Sequence, residues 1–317
     1  MTELRTPGKR DKTLPPITPN TQTERKYRKA LEKAIANMVT SYDWWIAGKY
    51  RKAVDANEKL LAQDASVGQQ AKRRTDDLYG ELTRLRKYWG DYFEKFAQAL
   101  AQQAVEDWYK DNATAWQGKL KRAGFDIQMQ LTTPQKIVLR AKVHENVALI
   151  RSIQQDYHKD VEGIVSRSFL AGRDLSTMAE EIKKRGNVST GRAALIARDQ
   201  SNKATAQMNA ARQAELGLTR AVWVHSSAGK EPRPKHVTAG RERWEFDTQV
   251  GIDFGDGMGF VRPGEAINCR CISRTLIPAI GRDRGPDSTM SVEKSRVGAR
   301  GVFARYTDGD AANPFKP

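Results

Sequence analysis

Leu78, Leu82, Leu85, Trp89, Tyr92 and Phe96 recur at spacings of four, three, four, three and four. Residues so spaced share one face of an α-helix, and a face this apolar has to be buried against a partner helix. Upstream, Tyr27, Leu31, Ala34, Met38, Tyr42 and Trp45 follow the same rhythm in a helix beginning near Thr23 and fading towards Leu61. A break at 64–68 separates the two. They are expected to form an antiparallel hairpin, with the 78–96 stripe as its packing seam rather than a ligand site. Gly90 lies inside the second pattern and weakens it slightly.

Residues 111–132 loosen the helical pattern. Thr133 then reads as an N-cap with Pro134 at the first helical position. The helix that follows carries Val143, Val147, Ile150, Tyr157, Val161 and Ile164 on one side, and Gly172 suits its C-cap. A short helix capped by Asp174 or Ser176 runs to Arg185. Gly186, Asn187 and Val188 break it, and a further helix runs from Ser189 to about Glu215, stopped by Gly217. This helix–break–helix admits a helix-turn-helix reading with Arg192, Arg198 and Lys203 facing a DNA groove, although packing within a structural protein is the default.

Beyond Gly217 the chemistry changes. Alternation and β-propensity give strands at 221–225, 243–246, 259–262 and 271–276, among glycines, prolines and aspartates. The expected fold class is α+β, predominantly α-helical, with long N-terminal helices and a small β-rich C-terminal module. In segments, 1–21 is a disordered basic arm, 22–130 a long-helix region, 131–217 a helical middle, 218–280 the β-rich module, and 281–317 a flexible tail.

The 317 residues include 54 lysines and arginines against 38 aspartates and glutamates, a net charge of +16. Such a balance draws the chain to polyanions. The basic residues are spread among acids, which fits non-specific proximity to bulk DNA better than a sequence-reading domain. Mean hydropathy is −0.68. There is no apolar run long enough to span a bilayer and no signal-peptide core at the N-terminus, so neither membrane contact nor Sec secretion is expected.

The two cysteines, Cys269 and Cys271, cannot build a disulfide scaffold and are poorly placed to bond each other. A reducing compartment suits them. With His236 they offer thiolate and imidazole donors suited to structural zinc, with His225 or an aspartate from 247–256 as fourth ligand. One intervening residue is short for a zinc pair, however, and the alternative is two thiols packed as small apolar groups. A nucleophilic centre would use His236 with Cys269, Glu242 or Glu245, but no spacing demands it, and no phosphate loop or nucleophile elbow occurs. Arg270, between the cysteines, is suited to holding a carboxylate of a partner.

Asn146–Ile153, Gly172, the run Arg192-Ala-Ala-Leu-Ile-Ala-Arg198, Asn209, Gly217, Trp223, Arg233 with His236, Gly240, Pro263-Gly264-Glu265 and Asn268-Cys269-Arg270-Cys271 occur in that order. Together they resemble the phage Mu F-like head-morphogenesis (minor head) proteins, across somewhat less than half the chain, with the family domain beginning in the helical middle. The family often has an acidic residue shortly before its Arg-x-x-His pattern and more arginine around it. Here the run is Gly229-Lys-Glu-Pro-Arg233.

The resemblance implies a non-enzymatic minor capsid protein of a tailed bacteriophage, made in the host cytoplasm and carried in the virion at the portal vertex or capsid interior. Portal protein, major capsid protein and packaged double-stranded DNA would be its partners, in several copies or as an oligomer. Arg192, Arg198, Arg233 and Arg270 are the candidate contacts to DNA or partner. The alternatives are an injected effector or enzyme active in the C-terminal module, and a DNA-binding scaffold acting only during assembly.

Overall fold

The structure, a computed structural model, describes residues 11–60, 65–170, 175–227 and 231–278, with side chains up to 52 and again from 76. The segments expected to be a tail (281–317) and the first part of an arm (1–10), and the caps proposed at Gly172 and Asp174, lie outside those residues. The described elements are β1 (Lys12–Thr13), α1 (Thr21–Leu60), α2 (Ala65–Arg122), α3 (Thr133–Leu170), α4 (Leu175–Glu215), β2 (Arg220–Val224), α5 (Pro234–Arg241), β3 (Glu245–Asp247), β4 (Ile252–Asp253), β5 (Phe260–Val261) and β6 (Ile272–Ile277). The fold is therefore α+β and mainly helical, as the sequence patterns imply. None of these helices is long and apolar enough to cross a membrane.

Two compact units share the chain. The first comprises the described residues of Thr21–Asp107 and Ala141–Gln200; the second comprises the described residues up to Asn20, Trp108–Arg140 and the described residues from Ser201 on.

The first unit is a helical bundle. Lys26 pairs with Asp107 at 2.8 Å, and the Arg84 guanidinium lies 4.7 Å from the centre of the Trp45 ring, so α1 and α2 run antiparallel. The seam differs from its expected line in one respect. Leu78, Leu82, Leu85 and Trp89 are buried, but Tyr92 is 37% exposed, and burial continues through Phe93, Ala97, Ala101 and Ala104. On α1, Ile46 replaces Trp45 in the core in the same way. A strict 3.5-residue repeat drifts around a straight helix by about 20° per heptad, so steps of four take over.

The bundle core holds polar groups that apolar spacing does not reveal. Lys142, Asn146, Gln154, His158 and Gln200 are all buried. The Tyr27 hydroxyl donates to Asn146 Oδ1 at 2.9 Å, the Asn146 amide to the Lys142 carbonyl at 2.8 Å, and the Gln200 amide to Glu145 at 2.9 Å. Asn146 and Gln200 thus find partners inside the bundle, as burial favours.

Helix α4 is continuous, so the break expected at 186–188 is absent, and with it the turn of a helix-turn-helix. Gly186 has a different purpose: a Cβ there would lie 2.9 Å from Val39 Cγ2. Its missing side chain lets α4 approach α1 closely. Helix α3 begins at Thr133, so the cap is Thr132 rather than the expected Thr133: the Thr132 N–H donates to Gln135 Oε1 at 3.3 Å and the Thr132 carbonyl accepts from Lys136.

In the second unit a four-stranded antiparallel sheet runs in the order β1-β6-β2-β3, with β4 and β5 as a separate hairpin. The strands expected from alternation are present. Strand β1 corrects part of the expected arm: Lys12 pairs with Ile277 and Thr13 with Leu276. Leu14 and Ile17 are buried with Trp116, Leu120, Leu218 and Ile277. Two apolar residues among prolines suffice to hold this stretch once a core exists to receive them. Helix α2 also continues to Arg122, past the expected loosening at 111, because Trp116 and Leu120 bury one face of its last turns.

Candidate functional site

Helix α5, eight residues long, starts with Pro234 at a position where no N–H is needed. Three polar residues at its start tie it down. Arg233 donates to the Ile267 carbonyl at 3.1 Å, Lys235 donates to the Phe254 carbonyl, and His236 turns inward. The helix lies against β2 with almost no clearance: a Cβ at Gly240 would sit 2.4 Å from His225 Cβ.

The cysteines arrive on a tight loop between β5 and β6. Gly264 adopts φ +92° and Asn268 φ +57°, conformations suited to glycine and tolerated by asparagine. Glu265 accepts from the Arg262 backbone N–H at 2.9 Å and its side chain at 2.6 Å, while Cys269 N–H donates to the Ala266 carbonyl at 2.9 Å. Pro263-Gly264-Glu265 and Asn268 thus earn their places as the residues that turn the chain so that both thiols face α5.

Both sulfurs converge on one nitrogen. Cys269 Sγ lies 3.5 Å and Cys271 Sγ 3.8 Å from His236 Nδ1. The three donor atoms are all within 4.8 Å of one another, and His236, Cys269 and Cys271 are 2%, 4% and 5% exposed. Around them Trp223 meets the imidazole edge-on at 4.9 Å between centroids, Phe254 lies 4.6 Å away, and Trp244 stacks on Phe254 at 6.1 Å. His236 Nε2 has no hydrogen-bond partner among the described residues.

The thiols behave as a coupled pair. The Cys271 side chain, hydrogen-bonding to Cys269, pulls the Cys269 thiol well down, with further help from His236 and two backbone groups and against the cost of burial. The Cys271 thiol moves up, because it shares its proton with Cys269 and is itself buried; the Trp223 indole and the Ser226 backbone offset this in part. One negative charge shared by two sulfurs is what such a pair favours.

Of the residues expected at the centre, His236, Cys269 and Cys271 are brought together. The expected fourth ligands are not. His225 Nδ1 accepts from the Ser227 N–H at 3.3 Å, and Asp247, Asp253 and Asp256 accept from backbone N–H groups two or three residues on. Short aspartate side chains in a glycine-rich stretch are satisfied locally as turn caps. Glu242 receives the Trp244 indole N–H at 2.9 Å and Glu245 pairs with Arg220, so neither faces His236 as a catalytic partner would.

The candidate contact arginines have intramolecular partners. Arg192 pairs with Asp156 and donates to Ser152 Oγ at 2.8 Å; Arg233 holds Ile267; Arg198 and Arg270 also have interactions within the chain. Reasoning from sequence missed Asn209 as a buried acceptor, Arg212 as a buried cation and the aromatic wall of Phe254. Only the run of aromatics near the cysteines hinted at the last.

Residues 159–274 match the family described as Phage Mu protein F like protein. The resemblance read from the sequence is borne out over that segment, which contains the whole His236–Cys269–Cys271 centre. An uncharacterised protein of Haemophilus influenzae is 29% identical over 153 residues, covering 48% of this chain and 32% of the relative. The chain therefore spans about a third of the length of that relative. No solved structure matches.

Proposed function

We propose that this protein is a minor capsid protein of a tailed bacteriophage that acts in head morphogenesis and stays in the virion, at the portal vertex or inside the shell beside packaged DNA. The observation that carries the reading is the family match over 159–274, a continuous stretch that holds α4, β2, α5 and the loop bearing both cysteines. A net charge of +16 supports close quarters with DNA without base reading. Non-catalytic use of the module is supported by burial: the imidazole and both thiols are no more than 5% exposed, so a substrate has no access to them. Portal or major capsid protein are the partners this role calls for.

The test is quantitative proteomics of empty precursor heads and finished virions from the phage that encodes the chain. The protein is expected in both, at low copy number. Its loss from finished virions would mark an assembly scaffold instead. Complete, infectious particles formed without it would overturn the reading.

A further inference from the structure

We propose that His236, Cys269 and Cys271 bind a zinc ion, and that the ion locks α5 to the β5–β6 loop as a structural clamp. The inference stands on donor geometry and is independent of the role in the head. At a tetrahedral zinc with Zn–S of about 2.3 Å and Zn–N of about 2.0–2.1 Å, a sulfur and a nitrogen ligand lie about 3.6 Å apart. The two distances here are 3.5 and 3.8 Å.

The hydrogen bond between the two cysteines pairs the sulfurs with each other but needs only one of them at the imidazole. A neutral imidazole nitrogen has a single lone pair and accepts one S–H, yet two sulfurs approach the same Nδ1 at nearly equal range. A metal placed between the three atoms uses both sulfurs and the nitrogen at once. Charge balance favours it as well: Zn²⁺ displaces the one proton the two sulfurs share, and two thiolates with one dication make a neutral centre suited to an interior lined by Trp223 and Phe254. This mixture of thiolate and imidazole selects zinc over the hard cations. The described side chains supply three donors, leaving the fourth position to a ligand outside them.

The experiment uses the full chain, expressed without a polyhistidine tag in zinc-supplemented medium. Metal analysis is expected to give one zinc per chain, and X-ray absorption at the zinc edge two sulfur ligands with nitrogen and oxygen completing the shell. Cys269→Ser and Cys271→Ser should each abolish stoichiometric zinc. Should those variants fail to fold, apo protein prepared from the wild-type chain with a chelator is titrated with Co²⁺. Thiolate-to-cobalt charge transfer and intense tetrahedral visible bands would support the site. Zinc-free wild-type protein that also gives no such cobalt spectrum would overturn it, leaving two thiols packed as small apolar groups.

Discussion

The Trp116 indole N–H donates to Asn209 Oδ1 at 2.9 Å, and both side chains are buried. The same oxygen accepts from the Asn112 amide at 2.8 Å. One carboxamide thus satisfies two buried donors on α2. Asn209→Leu should destabilise the protein by about 2–4 kcal/mol, since each orphaned donor costs about 1–3 kcal/mol and partial relaxation recovers some of it. Chemical denaturation reads the loss, and adding Trp116→Phe should return part of it. A stability equal to wild type would show that the oxygen is dispensable.

Gly240→Ala tests how tightly α5 is seated. The new methyl would meet His225 Cβ at 2.4 Å and the His225 backbone nitrogen at 2.6 Å. Backbone cannot swing aside as a side chain can, so a cost of about 1–3 kcal/mol is expected. Thermal unfolding should show it, and accessibility of Cys269 and Cys271 to a thiol reagent should rise. Gly191→Ala, where a Cβ meets nothing within 4 Å, is the control.

Arg192→Ala should leave affinity for double-stranded DNA unchanged. Its guanidinium is committed to Asp156 and Ser152, on a half-exposed surface where such a pair is worth at most about 1 kcal/mol. Binding measured across a salt series should keep the wild-type slope. A shallower slope would show that Arg192 leaves its partners to reach phosphate.

His158 makes the helical unit sensitive to acid. Burial pushes its pKa below the ordinary value of 6.5, against the upward pull of Glu162 on α3 and with a smaller downward push from Arg86 on α2. The Tyr42 hydroxyl on α1 lies 2.8 Å from Nδ1. The unfolded chain therefore binds this proton more readily than the native one. The contribution is fully present above pH 6.5 and is lost as pH falls through the depressed native pKa. In His158→Gln the fall in unfolding free energy just below pH 6.5 should be shallower than in wild type; an unchanged profile would assign the acid sensitivity to other groups.

Leu31, Met38, Leu82 and Ile150 were readable from spacing because a helix face repeats its chemistry every turn. So were the strands on either side of Trp223, and the three donor residues, whose types are rare in this chain. Gly186 was misread because a glycine required for close helix contact looks the same in sequence as one that ends a helix. His225 and the aspartates of 247–256 were misassigned because residue type does not tell whether a side chain reaches a metal or the backbone two residues away. The buried polar set around Asn146 and Gln200 carries no period at all; only the partners across the bundle explain it.

The pairing of Lys12 with Ile277 and Thr13 with Leu276 has a consequence for biogenesis. Strand β1 forms the sheet edge, and its strand partner is β6. During translation, these early residues emerge from the ribosome long before their hydrogen-bonding mates exist. Leu14 and Ile17 must therefore wait, solvated or chaperoned, until the β6 segment clears the exit tunnel, which makes closure of this unit a late event in synthesis.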